Sequence, residues 1–600
     1  MNKVDLKQQF ISVANQLAAE INDNGFWTGH LSSSALSTAV AIVAFKIKDP
    51  KRFDIRIKAG LNWLIESVNS DGGFGDTPQS DSNVSSSLLC YAAIFFCQDE
   101  TLAGAKVLQG LEQYLHRQNI ILDAETVANS VLAYYGKDFT FSVPILSMLA
   151  LCGVVDQKVY RHIPQLPFEL SLLPASLFRF FNLQVVSYAI PALVAVGIFI
   201  HKKKNRKIPV ISSIKRLCIQ PALKKLLTMV PESGGFLEAI PLTGFVSMCL
   251  MESGYSDHEV VTQGINFLEK QQRQDGSWPI DTDLSTWVTT LSIKALGTHH
   301  STILSDSIIQ RLRTHLLKLQ YKTVHPFNGA QPGGWGWTNY SGSVPDADDT
   351  PGAILALLEL YQGSENEKTA LIDGCNWLVG LQNSDGGIPT FCKGWGKLPF
   401  DSSCADLTGH TLLALISSVD KLGDSISSKQ RSQYTNCIFQ AVNYLEKNQD
   451  VSGYWNPLWF GNQLTADKKN PVYGTAKVTT YINDCLLVKQ MRPELRTRLE
   501  KMSEKACSYL HSQQNADGSW GGEKGIVGTI EETALAICAL SYVHKVKCKK
   551  GLEWLAEKYS AEHVRSSPIG LYFATLWYDE KLYPTIYYTE ALRRAFERMS

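Results

Sequence analysis

Among 600 residues and thirteen cysteines there is no Cys-x-x-Cys pair, which reads as free thiols in a reducing compartment. Net charge is missing as well. The 57 lysines and arginines balance 57 aspartates and glutamates, so nothing points towards nucleic acid. The chain has no glycine-rich phosphate loop, and no second acidic motif of the kind that holds magnesium against a diphosphate. No stretch sustains the alternation of a strand. The opening residues, Met1-Asn2-Lys3-Val4-Asp5-Leu6-Lys7, lack the apolar region of a secretory signal, so a chain that is not secreted is expected. One segment runs the other way. Phe181 to Ile200 carries no charge and precedes His201-Lys202-Lys203-Lys204, as a spanning helix would. Because Asn182, Gln184, Ser187, Pro191 and Gly197 interrupt it, we expect a buried helix of an all-helical domain instead.

What fills the chain is a repeat of two kinds of helix. One kind is amphipathic and closes in a polar turn and an aromatic. Asn266-Phe267-Leu268 running to Gln272-Arg273-Gln274-Asp275-Gly276-Ser277-Trp278 is an example, and Tyr509-Leu510 running to Gln514-Asn515-Ala516-Asp517-Gly518-Ser519-Trp520 is another. The other kind opens on a polar cap and is apolar on nearly every face: Ser34-Ala35-Leu36, Asp349-Thr350, Asp406-Leu407-Thr408, Glu531-Glu532-Thr533. Such pairs can close into a ring with the buried helices inside. The capped starts, among them Thr286, Asp349, Asp406 and Glu531, would then gather at one end. Trp63, Trp377 and Trp520 are expected to tie helix ends together.

At the centre of this pattern stands Val344-Pro345-Asp346-Ala347-Asp348-Asp349-Thr350-Pro351, three carboxylates in four positions before an abrupt apolar run. Asp349 or Thr350 suits an N-cap and Pro351 the first helical position, so an acid cluster is expected at the mouth of a buried helix. Like charges and burial both resist ionisation, leaving at least one carboxyl protonated at neutral pH. A carboxylic acid facing an apolar interior suits alkene protonation. Asp-x-Asp-x-Thr also opens phosphatases with an aspartyl nucleophile, but the residues before it here, Tyr340-Ser341-Gly342-Ser343-Val344-Pro345, do not form the required strand.

The Gln…Gly-x-Trp endings resemble the QW motifs of triterpene cyclases. Pro332-Gly333-Gly334-Trp335-Gly336-Trp337 followed by Asp346-Ala347-Asp348-Asp349-Thr350 resembles the squalene–hopene cyclase signature. Asp385-Gly386-Gly387 through Gly394-Trp395-Gly396 and Pro471-Val472-Tyr473-Gly474-Thr475 extend the likeness over nearly the whole chain. The resemblance implies an all-α fold of two α/α barrels with a cavity between them. Residues 21–285 would form the inserted barrel, and 1–20 with 286–600 the catalytic one. It implies no cofactor and no metal. Its substrate would be a linear isoprenoid hydrocarbon, squalene first. The segment Pro164 to Phe181 would be a monotopic contact with one membrane leaflet on the cytoplasmic side, and the protein a homodimer.

Carried over residue by residue, Asp348 is the general acid, with Asp346 and Asp349 as acidic neighbours. His410 is its hydrogen-bond partner, expected as an imidazolium that stabilises the carboxylate left at Asp348. Asp406, at i−4, would orient that histidine, and Tyr473 would join through bound water. Trp287, Trp337, Phe391 and Trp459 supply π faces for carbocations, each contact worth about 0.5–2 kcal/mol when dry. Tyr578 lines the far end. The C-terminal region departs from the pattern. Ser567 replaces an expected phenylalanine, Thr575 an expected tyrosine, and residues 462–470 are an insertion, so a shorter or partly cyclised isoprenoid such as a sesquarterpene is the alternative. Two further classes remain open. Cys404, Asp406 and His410 are close in sequence, as a zinc prenyltransferase would need, and α/α barrels also serve as non-catalytic isoprenoid-binding scaffolds.

Overall fold

The structure, a computed structural model, describes residues 3–97, 102–135, 139–183, 186–204, 209–489, 491–542, 548–559, 564–571 and 576–598. It is all-α apart from one short hairpin, and its inner helices form two closed rings. Five make the first: α1 (Ala35–Lys48), α2 (Val84–Cys97), α3 (Phe139–Leu151), α4 (Val186–Lys203) and α5 (Ile240–Glu252), each packed on the next and α5 back on α1. Six make the second: α6 (Ser285–Leu296), α7 (Asp349–Glu359), α8 (Ala405–Leu422), α9 (Pro471–Cys485), α10 (Ile530–Leu540) and α11 (Tyr583–Arg598), closed by α11 against α6. The N-terminal helix Lys3–Ala19 packs outside α11 and completes the outer layer of that ring. Buried apolar side chains fall into two clusters. One joins Leu6 through Trp27 with Trp287 through Phe596, and the other spans Ala35 to Trp278 with Phe327, Val344 and Cys392.

The repeat chemistry explains why the rings form. On α1 and on α6 to α10 a threonine in the first two turns accepts the backbone N–H of the residue closing the outer-helix turn: Trp27 on Thr289, Trp278 on Thr38, Trp335 on Thr350, Ile388 on Thr408, Trp455 on Thr475 and Trp520 on Thr533. The buried indoles then donate to carbonyls of the helix before them, as Trp278 does to Leu268 and Trp520 to Leu510. Glutamine amides bridge to the following outer helix. Gln382 Nε2 reaches both Gly386 O and Cys437 O, and Gln449 Nε2 both Gly453 O and Met502 O. These bonds satisfy backbone groups of the turns where the helix ends are buried.

α4, the charge-free segment of the sequence, is long and apolar enough to cross a membrane, and 72% of it is buried inside its ring. Its Gln184 and Val185 lead-in and residues 205–207 of the basic run lie outside the described residues.

Candidate active site

The mouth of the six-helix ring is where the acids meet. Asp346 Oδ1 accepts the N–H groups of both Asp348, at 2.8 Å, and Asp349, at 2.7 Å. That carboxylate, two residues outside α7, caps the helix. The expected capping roles therefore move. Asp348 occupies the N-cap position with no side-chain cap bond of its own, and Pro351 is the third helical residue, not the first. With Asp346 holding the free N–H groups, the Asp348 side chain is released from capping and turns elsewhere.

It turns to His410. Asp348 Oδ1 lies 3.2 Å from His410 Nδ1, a contact from α7 to α8 across 62 residues. Gly352 lets α7 pack closely on α6, since a Cβ there would stand 2.9 Å from Thr290 Oγ1. Asp346 and Asp349 are buried, while the Asp348 side chain keeps 19% exposure beside a histidine that keeps 2%. Burial pushes Asp346 up, with Asp349 beside it; burial and the Asp346 charge hold Asp349 well above the carboxylate range. The expectation of at least one protonated carboxyl falls on Asp349, which shares its proton with Asp346.

Two expectations about His410 are corrected. Burial lowers its ring to about 4, with the ammonium groups of Lys477 and Lys294 adding to that against the pull of Asp348, so it is neutral at neutral pH, not an imidazolium. Asp406 does not orient it: its Oδ1 takes the Cys404 thiol, and burial followed by the Asp348 charge raises it to about 6. The ring is instead stacked on Tyr481, at 4.5 Å and 8°, with Trp287 edge-on at 6.3 Å. No direct hydrogen bond joins Tyr473 to Asp348 or His410 among the described residues; its ring lies 4.7 Å from Phe460. Nor does any group of three or more His, Cys, Asp or Glu side chains among those residues converge as metal ligands would.

The aromatic candidates split into two groups. Trp287 Nε1 donates to Tyr583 Oη at 3.0 Å, and Tyr583 Oη is 3.3 Å from Tyr578 Oη on β2 (Leu576–Tyr578), which pairs antiparallel with β1 (Ile569–Leu571). Trp337, Phe391 and Trp459 stand together elsewhere, with centroids 6.3 Å from Trp337 to Phe391 and 5.6 Å from Phe391 to Trp459. Phe400 and Tyr188 of α4 complete this wall, Tyr188 stacked on Phe400 at 5.5 Å. Backbone links the groups, for Thr286 N donates to Trp337 O at 3.0 Å.

Sequence reading missed Tyr481, Tyr583 and Tyr587, and above all Lys477. A lone lysine in the otherwise uncharged run Val472 to Ile482 was the available signal. The C-terminal departures also have definite places. Asn462 and Asn470, the ends of the insertion, both donate to Glu532 Oε1 at 2.7 Å, and Ser567 N donates to Glu531 Oε1 at 2.8 Å. Thr575 lies outside the described residues. On the five-helix ring, Leu170, Leu172, Leu173, Leu177 and Phe181 are exposed, Phe180 to 80%, beside exposed Val210, Ile214 and Leu217.

Comparison with known proteins adds the following. The profile of the squalene-hopene cyclase C-terminal domain matches residues 284–564, and that of the prenyltransferase alpha-alpha toroid domain residues 12–123. The chain is similar to the enfumafungin synthase of Hormonema carpetanum, 24% identical over 92% of this chain and 45% of that protein. It is similar to the terpene cyclase-glycosyl transferase fusion protein of Humicola fuscoatra, 27% identical over 60% and 29%. It is also similar to the squalene hopane cyclase of Aspergillus fumigatus, 23% identical over 85% and 77%. The chain thus spans less than half the length of the first two.

Proposed function

The chain belongs to the class II terpene cyclase family, and on that premise we propose that it protonates a terminal alkene of a linear polyprene, squalene first, and steers the cation into fused rings. The observation that carries this reading is the Asp348–His410 contact at 3.2 Å, with two further carboxyls buried alongside. A carboxylic acid is weak towards an olefin, so the site must favour its conjugate base without removing the proton first. With His410 neutral, Nδ1–H donates to Asp348 Oδ1 and leaves Oδ2–H for the alkene. Asp346 and Asp349, with a proton shared between them, add less negative charge to oppose ionisation of their neighbour than two carboxylates would. Trp337, Phe391 and Trp459 then offer π faces to the moving cation.

In this reading residues 21–285 are the inserted barrel, 1–20 and 286–600 the catalytic one, and the substrate lies between them. Exposed Leu177, Phe180 and Phe181 would dip into one leaflet on the cytoplasmic side, with Arg179 near the headgroups. A homodimer remains part of the proposal. A shorter or partly cyclised isoprenoid is the second reading. Its support is the packing of Asn462, Asn470 and Ser567 onto the start of α10, which takes up room at the C-terminal end.

Incubating purified protein with squalene and shorter polyprenes in detergent tests the proposal. Cyclic products that vanish with Asp348→Asn are expected. Failure to cyclise any of them, or full activity in that variant, overturns it.

A further inference from the structure

Lys477 lies on α9, one turn inside Tyr473 and one turn before Tyr481, and keeps 3% exposure. Burying an ammonium is costly unless its charge is answered. Its neighbours in the ring answer theirs directly: Lys294 meets Glu590 at 3.4 Å, and Arg594 meets Asp484 at 2.6 Å and Glu590 at 2.9 Å. Among the described residues no carboxylate comes within 4.0 Å of Lys477. It is held by rings instead: Trp287 at 5.3 Å, Tyr481 at 5.4 Å, and Tyr473 and Tyr587 at 6.0 Å. Within these pairs, buried Lys477 and Arg594 and half-buried Lys294 stand against two carboxylates, Asp484 and Glu590, which leaves one positive charge over. The carboxyls that remain to face it are Asp348 of α7 and Asp406 of α8, both of which act on it electrostatically.

We propose that Lys477 is the positioning charge of the proton donor: its ammonium, caged by aromatic rings behind the acid motif, answers the carboxylate left at Asp348 when the proton departs. This rests on the reading of Asp348 as the acid. In the step, the Asp348 Oδ2–H bond breaks and its electron pair stays on the carboxylate. The alkene π pair forms the new C–H bond, and the neighbouring carbon becomes the cation. The carboxylate then faces the His410 Nδ1–H and the Lys477 field.

An imidazolium would duplicate that charge at close quarters, which is why a neutral His410 and a cationic Lys477 belong together. Other groups facing the pair are Lys294 of α6, Glu590 and Tyr587 of α11, and Tyr473 and Tyr481 of α9 itself. Burial, then Lys294, lowers Lys477 to about 8, so the useful charge is lost as pH rises through that value.

Two measurements test this on the full chain. Histidine-labelled NMR, with His410→Gln to assign the signal, follows the His410 ring across pH without substrate. In Lys477→Met its midpoint should move up by about one unit or more; an unchanged midpoint overturns the proposal. In turnover, Lys477→Met should lower kcat roughly 10- to 100-fold with KM within about twofold. Lys477→Arg should recover most of the rate and lose the alkaline limb near pH 8. Wild-type kcat in Lys477→Met at every pH overturns the proposal. Should Lys477→Met fail to fold, Lys477→Gln is read by the same titration. Absence of turnover in the wild type would sink the cyclase reading, while the titration still decides the role of Lys477.

Discussion

Trp287, Tyr473, Tyr481 and Tyr587 surround a lysine, whereas Tyr188, Trp337, Phe391, Phe400 and Trp459 surround one another. The first group is rich in hydroxyls, its Trp287 donates to Tyr583, and its π faces already serve an ammonium. Among the described residues no ammonium or guanidinium stands over Tyr188, Trp337, Phe391 or Phe400 of the second, which contains two phenylalanines. A second positive charge is poorly placed beside the first, because two like charges in a low-dielectric interior repel strongly. A carbocation is therefore better served by the second wall. Aromatic content alone does not identify a cation-stabilising surface; what the rings already hold decides it.

That contrast can be broken in several ways, and the largest effect belongs to neither wall. Asp348→Asn should reduce cyclisation by about a thousandfold or more while leaving the fold intact, measured as product formed per enzyme by gas chromatography. Next come the walls themselves. Phe391→Ala or Trp459→Ala should lower kcat about tenfold and enrich early-terminated products, with the pH profile unmoved. The Lys477 variants should do the opposite, moving the pH profile and not the product ratio. Identical behaviour of the two sets erases the distinction.

A smaller effect concerns stability at the ring mouth. Burial raises Glu531 to about 8 from 4.5, so the folded state keeps a proton that the unfolded chain has released. Stability from this group is therefore present below about pH 4.5 and lost as pH rises towards 8. Glu531→Gln should flatten that decline, by on the order of a few kcal/mol at pH 8, in denaturant titrations at pH 5 and pH 8. The smallest effect is at the surface. Phe180→Glu should weaken sedimentation with phospholipid vesicles several-fold without touching turnover of detergent-dispersed substrate.

Much of this was legible before any coordinates. The polar-to-apolar starts of α7, α8 and α10 and the threonines behind them are local signals, and local signals define helices, although Asp406 is the second residue of α8 and not its cap. Asp346, Asp348 and Asp349 were visible because they fall within four positions, and His410 because its place follows a known spacing. What sequence did not reveal was created by ring closure. Tyr481 meets His410, and Lys477 meets Trp287 and Tyr587, only because α9 packs on α8 and α11 closes on α6. The charge state of His410 was misread for the same reason: burial and two distant lysines set it, not its neighbour at i−4. Asp406 was expected to hold that ring from the same helix face, yet the nearer thiol of Cys404 takes its oxygen.

The account turns on one proton. Turnover in deuterium oxide, followed by mass spectrometry and NMR of the product, reads its origin and its destination. A single solvent-derived deuteron on the ring carbon next to the gem-dimethyl carbon, absent when Asp348 is replaced by Asn, is the predicted result. Product formed at the wild-type rate by Asp348→Asn, or product with no deuterium at that end, would contradict it.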